Sequence, residues 1–287
     1  MFDKNMYGKI KEFVSIFILI ALGTLAGVTA GSYLNPNSSA TDSSYESSDY
    51  DENCNVLGIE IRGCLLTYEP DVNDSSDTSD SYCDTVTSSE DVIWALEEAA
   101  NNPQIKAVVL EIDSGGGSPV AADEIASAVK NFGKPSIAWV RENAYSAAYW
   151  IASAADTVIA SENSDVGSIG VTMSYLDNVK KNAKDGLTFN QLSTGKYKDT
   201  GTPDRPLTDD ERSLIQRDLD IVLQNFINAV AANRDLSLEK VTALADGSTM
   251  LGAMALQNGL VDQIGTKAEV WQKLEADMGE TPDVCWP

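Results

Sequence analysis

The sequence predicts an α/β domain built on a mostly parallel sheet, and three observations predict it. Between Val56 and Thr172, apolar runs of strand length alternate with stretches of helical periodicity. One of those runs, Ala107 to Ile112 (AVVLEI), reads as a buried strand and ends in a glycine turn, Asp113-Ser114-Gly115-Gly116-Gly117. Of the 287 residues 43% are hydrophobic, enough for one sizeable core with appendages.

From the N-terminus, residues 1–12 carry Lys4, Lys9 and Lys11. Phe13 to Gly31 (FVSIFILIALGTLAGVTAG) follows without a charge, close to the roughly 20 residues that span a hydrocarbon core as a helix. A transmembrane anchor is expected at 13–31. The lysines before it and the acidic chain after it put residues 1–12 in the cytoplasm and the rest of a single-pass chain outside the cell membrane. Val28-Thr29-Ala30 resembles a signal-peptidase site, so cleavage after Ala30 is the alternative to a retained anchor. Residues 32–53 form an acidic Ser/Asp-rich linker with little to bury. Residues 54–287 are expected to form the folded domain.

Within that domain Val56 to Ile61 is the first strand, and residues 69–87 form an acidic surface loop. Ser89 can cap a helix whose face is marked by Val92, Ile93, Leu96, Ala99 and Ala100. After the strand at 107–112, Pro119 to Phe132 reads as a helix and Pro135 to Val140 as a strand. Ser146 to Ala155 reads as a small-residue helix, and Thr157 to Ala160 and Val166 to Thr172 as further strands. Thr208-Asp209-Asp210-Glu211 has the pattern of a capping box, opening a helix to about Asn233. Its stripe of Ile215, Leu219, Val222, Phe226 and Val230 suits packing on the sheet.

The net charge is −24, and residues 35–90 hold thirteen Asp/Glu against Arg62 alone. No basic stripe exists to neutralise phosphates, which argues against nucleic acid as a partner. Cys54, Cys64, Cys83 and Cys285 all follow the anchor, where they can oxidise, and four cysteines allow three pairings. There is no CxxC and no histidine, so no metal site is expected.

The missing histidine also excludes a Ser-His-Asp triad. Any serine nucleophile must pass its proton elsewhere, and lysine is the realistic base. After a strand, consecutive glycines let backbone N–H groups approach an oxyanion; the plainer reading is a tight turn. Ser146 opens a helix among small neighbours, which suits a nucleophile, but taken alone the plainer reading is an ordinary N-cap. A lysine with its usual pKa is neutral in only about one copy in a thousand near pH 7.4, so a lysine base must be desolvated. Lys180, Lys181 and Lys184 look like a solvated helix face. Lys196 and Lys198 lie in a Gly/Thr-rich loop and share a face if it is extended, which leaves both open.

The segments DSGGG, ENAYSAAYWIA, DVGSIGV, STGKYKDTGTP and ADGSTMLGAMALQNGLVDQIG occur in that order across residues 55 to 270. In this they resemble the signal peptide peptidase A family, membrane-anchored Ser-Lys peptidases with a Clp-protease/crotonase-like fold. The resemblance implies that Ser146 is the nucleophile and Lys198 the general base. It implies that Ser168 orients the lysine and that Gly117 and Ala147 supply the N–H groups of the oxyanion hole. No cofactor is implied. The implied substrates are signal-peptide remnants or unfolded polypeptides, and the implied assembly is a homo-oligomeric ring whose neighbouring subunits complete each other's sites. The family turn usually reads Asn-Ser-Pro-Gly-Gly, whereas this chain has Asp113 for Asn and Gly115 for Pro. Two rival expectations stand beside the peptidase: an inactive anchored scaffold of the same fold, and a crotonase-type acyl-CoA enzyme, which the extracellular side disfavours. A lysine base further predicts activity that climbs with pH rather than titrating near 6.5.

Overall fold

The computed structural model describes residues 54–70, 83 and 85–286. The expected anchor at 13–31, its flank 1–12, the linker 32–53 and residues 71–82 and 84 of the acidic loop lie outside the described residues. Among the described residues no helix is long and apolar enough to cross a membrane.

The described chain builds a sheet from nine strands: β1 (Val56–Leu66), β2 (Val86–Ser88), β3 (Ala107–Gly117), β4 (Ser136–Tyr145), β5 (Thr157–Ala160), β6 (Asp165–Gly167), β7 (Thr249–Leu251), β8 (Gln263–Ile264) and β9 (Val284–Cys285). The main path runs β2-β1-β3-β4-β5-β8, and every pair along it is parallel. β9 also pairs parallel to β1, and β6 parallel to the far end of β4; only β6 with β7 is antiparallel. An α/β domain with a mostly parallel sheet is therefore what the chain adopts.

Both sheet faces are covered, as parallel sheets require. Helices α1 (Ser89–Asn101), α2 (Pro119–Asn131), α3 (Ala147–Ser153) and α5 (Asp209–Asn233) lie on one face, where Leu57, Ile59, Leu110, Ile112 and Val140 join Leu96, Ile125 and Phe226 in the larger core. On the other face Val56, Val109, Trp139 and Ile159 pack against Val270 and Leu274 of α8 (Lys267–Met278). The short helices α4 (Val179–Lys184), α6 (Leu238–Leu244) and α7 (Gly252–Asn258) complete the set.

The structure amends five elements. β3 runs on past Ile112 through the glycines to Gly117, and β4 past Val140 to Tyr145. β1 runs on past Ile61 to Leu66, through a register shift against β3 between Arg62 and Cys64. The acidic loop closes early, because Val86–Ser88 pairs with β1; the Thr87 hydroxyl accepts from Arg62 N (2.9 Å) and donates to Arg62 O (2.8 Å). The strand expected over 166–172 ends at Gly167, since Ser168 turns to φ 51° and leaves the extended region. Elsewhere the capping box of α5 is present, with Thr208 and Glu211 bonded to each other's backbone N–H. Of the three possible cysteine pairings the chain adopts Cys54–Cys285 and Cys64–Cys83.

Candidate active site

Four segments converge at the C-terminal ends of the central strands. The first is the glycine turn ending β3. The Ser114 hydroxyl donates to Gly63 O (2.7 Å) and accepts from Gly116 N (3.1 Å), which ties the turn to β1. Asp113 Oδ1 accepts from Asn143 N (3.2 Å), tying it to β4 as well. These bonds hold the turn at Gly115, which has no proline ring to fix its backbone. Gly116 has φ 98°, and a Cβ there would stand 2.8 Å from Tyr145 O and 3.1 Å from Ser146 Cβ. At Gly117 a Cβ would stand 2.3 Å from Leu65 O. Only glycine lets this backbone lie so close to β1 and to Ser146.

The second segment carries Ser146, between β4 and α3. Its backbone sits at φ 53°, ψ −121°, a region sparsely populated for any residue with a side chain. The conformation is held from both sides: Ser146 N donates to Gly167 O (2.8 Å), and Ser146 O accepts from Trp150 N (3.0 Å). The hydroxyl makes no capping bond to the helix. Ser146 therefore occupies the N-cap position without doing the work of an N-cap, and its Oγ is left for other chemistry. A serine on a strained strand-to-helix turn is a recurrent way to present a nucleophile. All seven residues of α3 are buried, so the small side chains seen in the sequence serve close packing under the serine.

The third segment is the pair of strands β6 and β7 with the turn before β7. Ser168 N donates to Ser248 O (2.9 Å), and Gly247 N to Ile169 O (3.1 Å). Asp246 Oδ1 accepts from Ser248 N (2.9 Å) and Oγ (2.5 Å), and these bonds hold its carboxyl below the usual carboxylate range. Beneath Ser146, Tyr145 OH donates to Asp165 Oδ2 (3.2 Å), which also accepts from Thr249 Oγ1 (2.9 Å). Burial first, and then the Asp165 charge, push the Tyr145 phenol above its ordinary value.

The fourth segment is α5. Val222, Leu223 and Phe226 face Ser146, Ala147, Gly117 and Ser168 across a cavity of about 710 Å³. Trp150 and Phe226 stack there, with centroids 5.0 Å apart and planes at 9°. The wall formed by Trp150, Val222, Leu223 and Phe226 is apolar, while Ser146, Ser168, Thr172 and Asp246 supply polar groups, the usual mixture in a binding cleft.

The structure thus brings together four of the five expected site residues: Ser146, Ser168, Gly117 and Ala147. Lys198 is not among the residues lining the cavity. It is exposed in a turn closed by Lys198 N to Gly195 O (3.1 Å), and among the described residues its amine has no partner. Because the loop is a turn and not an extended strand, the two lysines are placed differently. Lys196 donates to Asp210 Oδ2 (2.5 Å) and lies 4.9 Å over the Tyr197 ring; the bond to Asp210 holds its amine well above the usual lysine range. An amine so held is a poor base. The loop is rooted by buried Glu211, which accepts from Thr200 Oγ1 (3.2 Å) and takes a bidentate pair from Arg205 (2.5 and 2.7 Å). On the stretch leading to it, Leu176 and Leu192 are 88% and 98% exposed, unusual for isolated leucines.

Sequence reasoning missed the Tyr145–Asp165–Thr249 network and the Trp150–Phe226 wall. The aromatics at 150 and 226 were visible, but their meeting is a tertiary contact. Among the described residues no group of three or more Cys, Asp or Glu is placed to hold a metal.

The profile of peptidase family S49 matches residues 128–280. Protease 4 of Haemophilus influenzae is 33% identical over 193 residues, 66% of this chain and 31% of its own length. Serine protease SPPA, chloroplastic, of Arabidopsis thaliana is 30% identical over 179 residues, 61% of this chain and 26% of its own length. The chain covers 58% of a relative from Methanocaldococcus jannaschii, so it spans less than two thirds of each of these curated relatives. Among solved structures, the ClpP1 N165D mutant from Listeria monocytogenes matches 74% of this chain and 92% of its own, at a TM-score of 0.46 and 14% identity.

Proposed function

Since this chain belongs to peptidase family S49, we propose that it is a membrane-anchored serine endopeptidase using a Ser146–Lys198 dyad. The observation that carries this reading is Ser146 itself: backbone-strained, not used as a helix cap, and open to a cavity shared with Gly117 and Ala147.

In the mechanism, Ser146 Oγ attacks the scissile carbonyl while neutral Lys198 Nζ takes the hydroxyl proton. The N–H groups of Gly117 and Ala147 stabilise the tetrahedral oxyanion, with Ala147 at the helix start, where N–H groups lack intrahelical partners. The Lys198 ammonium then protonates the leaving amine. Water, deprotonated by the same lysine, releases the acid from Ser146. Ser168 accepts from the lysine amine and holds it in line. The apolar wall of Trp150, Val222, Leu223 and Phe226 suits small or apolar substrate side chains, as in signal-peptide remnants or unfolded polypeptides.

Lys198 reaches Ser146 from a neighbouring copy in a homo-oligomeric ring. Three features support this: Lys198 does not line its own chain's cavity, its amine is unpaired among the described residues, and the arm leading to it exposes leucines that a neighbour would cover. Burial against that neighbour also supplies the desolvation a lysine base needs. The uncharged stretch Phe13 to Gly31 supports an anchor with the peptidase domain outside the membrane.

The test is complementation. Ser146→Ala and Lys198→Ala are each expected to abolish cleavage of an apolar peptide. Mixed after dissociation and reassembly, they are expected to regain part of the activity, because one copy supplies the serine and the other the lysine. Full activity of either single variant would refute the dyad. No recovery on mixing, with both variants assembled, would refute the shared site. Absence of Ser146 labelling by a fluorophosphonate in the wild type would favour the inactive scaffold.

A further inference from the structure

We propose that the Cys64–Cys83 disulfide positions the oxyanion hole, and that its reduction reversibly slows the enzyme. The proposal rests on the assignment of Gly117 as an oxyanion donor.

Cys64 lies between two residues whose carbonyls hold the glycine turn. Gly63 O accepts from the Ser114 hydroxyl (2.7 Å), and Leu65 O accepts from Ser118 N (2.8 Å). In register, Cys64 stands opposite Gly116, and Leu65 opposite Gly117. This stretch of β1 follows the register shift between Arg62 and Cys64, and it is here that the strand meets β3 on one side and β2 on the other, so a displacement of β2 is passed through it to the glycines. Its other neighbour is the start of β2: Cys64 N donates to Thr85 O (2.9 Å), and Cys64 pairs with Val86. The Cys64–Cys83 bond closes a separation of only 19 residues and fastens this irregular stretch to the segment entering β2. A strand that moved here would carry both carbonyls, and with them the glycine turn facing Ser146.

The two disulfides differ in reach as well as in place. Cys54 is 5% exposed, and its bond to Cys285 joins β9 to the start of β1, at the end of the sheet away from Ser146. Cys83 is exposed and Cys64 half-buried. Attack by a thiolate needs access to a sulfur, so Cys64–Cys83 is the bond a reductant meets first. The reductant is a dithiol. Its thiolate attacks the Cys83 sulfur and expels the Cys64 thiolate, which takes up a proton. Its second thiol then displaces Cys83 from the mixed disulfide. Two electrons pass from the dithiol, which becomes a cyclic disulfide, to the cysteine pair. The Ser-Lys dyad contains no thiol, so any loss of rate must act through the scaffold.

The experiment uses the assembled enzyme with a peptide of small apolar residues. For Cys64→Ser/Cys83→Ser, kcat is expected to fall about tenfold, a fraction of the roughly 10²–10³ lost when an oxyanion donor is deleted outright, while KM stays within about twofold. Fluorophosphonate labelling of Ser146 should slow by the same factor. Cys54→Ser/Cys285→Ser should lower the melting temperature and keep kcat within about twofold at 25 °C. Separately, dithiothreitol treatment of the wild type should slow turnover in step with alkylation of Cys83, and reoxidation should restore it. A wild-type kcat in Cys64→Ser/Cys83→Ser, or in wild type with Cys83 fully alkylated, overturns the proposal. If the double variant does not fold, the dithiothreitol arm decides alone. If Ser146→Ala keeps full activity, the site assignment itself fails and takes this proposal with it; an inactive Ser146→Ala beside an insensitive disulfide sinks only the latter.

Discussion

Gly116→Ala tests whether the glycine turn and the serine are one mechanical unit. A Cβ at Gly116 would stand 2.8 Å from Tyr145 O, about 0.6 Å inside ordinary contact, and 3.1 Å from both Ala147 N and Ser146 Cβ. Two of these three neighbours are backbone atoms, which cannot rotate away. At φ 98° the substitution also places a side chain in a conformation reserved for glycine, costing about 1–3 kcal/mol. Overpacking adds about 1–3 kcal/mol. The sum, roughly 2–6 kcal/mol, corresponds to a fall of about 4–24 °C in a domain of this size. If the strain is relieved by displacing Ser146 about half an ångström, kcat should drop roughly tenfold, since a misplacement of about 1 Å can cost 10²-fold. The assays are scanning calorimetry, kcat and KM on an apolar peptide, and the rate of fluorophosphonate labelling at Ser146. Gly115→Ala is the control for stability, because no atom lies within 4 Å of its added Cβ; it should stay within about 0.5 kcal/mol of wild type. Wild-type melting and labelling by Gly116→Ala would refute the close approach on which the site is built.

Two further outcomes follow from buried polar groups. Tyr149 is fully buried, and its hydroxyl donates to Leu260 O (2.9 Å); Tyr149→Phe leaves that carbonyl unsatisfied and should cost about 1–3 kcal/mol in urea unfolding, so an unchanged midpoint would mean water replaces the bond. The Arg205 guanidinium, and then the Thr208 N–H, hold the Glu211 carboxyl well below the usual carboxylate range. A depressed folded value contributes stability above the unfolded value near pH 4.3, lost as pH falls through the folded value. The stability gap between wild type and Glu211→Gln should therefore hold constant from about pH 5 to 8 and close at lower pH; a gap that widens in acid would contradict the pairing.

Much of the fold was legible because it depends on local pattern. The strand at 107–112 and the helix opening at Thr208 carry their signals within a few residues; the helix opens where the capping box puts it, and the strand begins at Ala107 as expected but runs on through the glycines to Gly117. β2 and β9, of three and two residues, were not legible, because such short strands exist only through their pairing with β1. The strand expected to reach Thr172 stops at Gly167, since apolar residues do not report the positive φ that Ser168 adopts to meet Ser248 O. At the site, Ser146 reads first as a helix cap in the sequence, and only the folded backbone shows that its hydroxyl makes no capping bond.

By itself the sequence determined the chemistry that is possible. A chain without histidine has no imidazole base, and its glycine turn, serine and lysines leave few ways to build a hydrolytic site. Residue identity settles such questions because it fixes which protons can move. Only the tertiary structure decided which groups meet. It chose the two disulfides from three pairings, set Gly116 against Ser146, tied Lys196 to Asp210, and left Lys198 outside the cavity of its own chain. Those outcomes depend on distances between residues far apart in sequence, which are set by how the strands and helices pack.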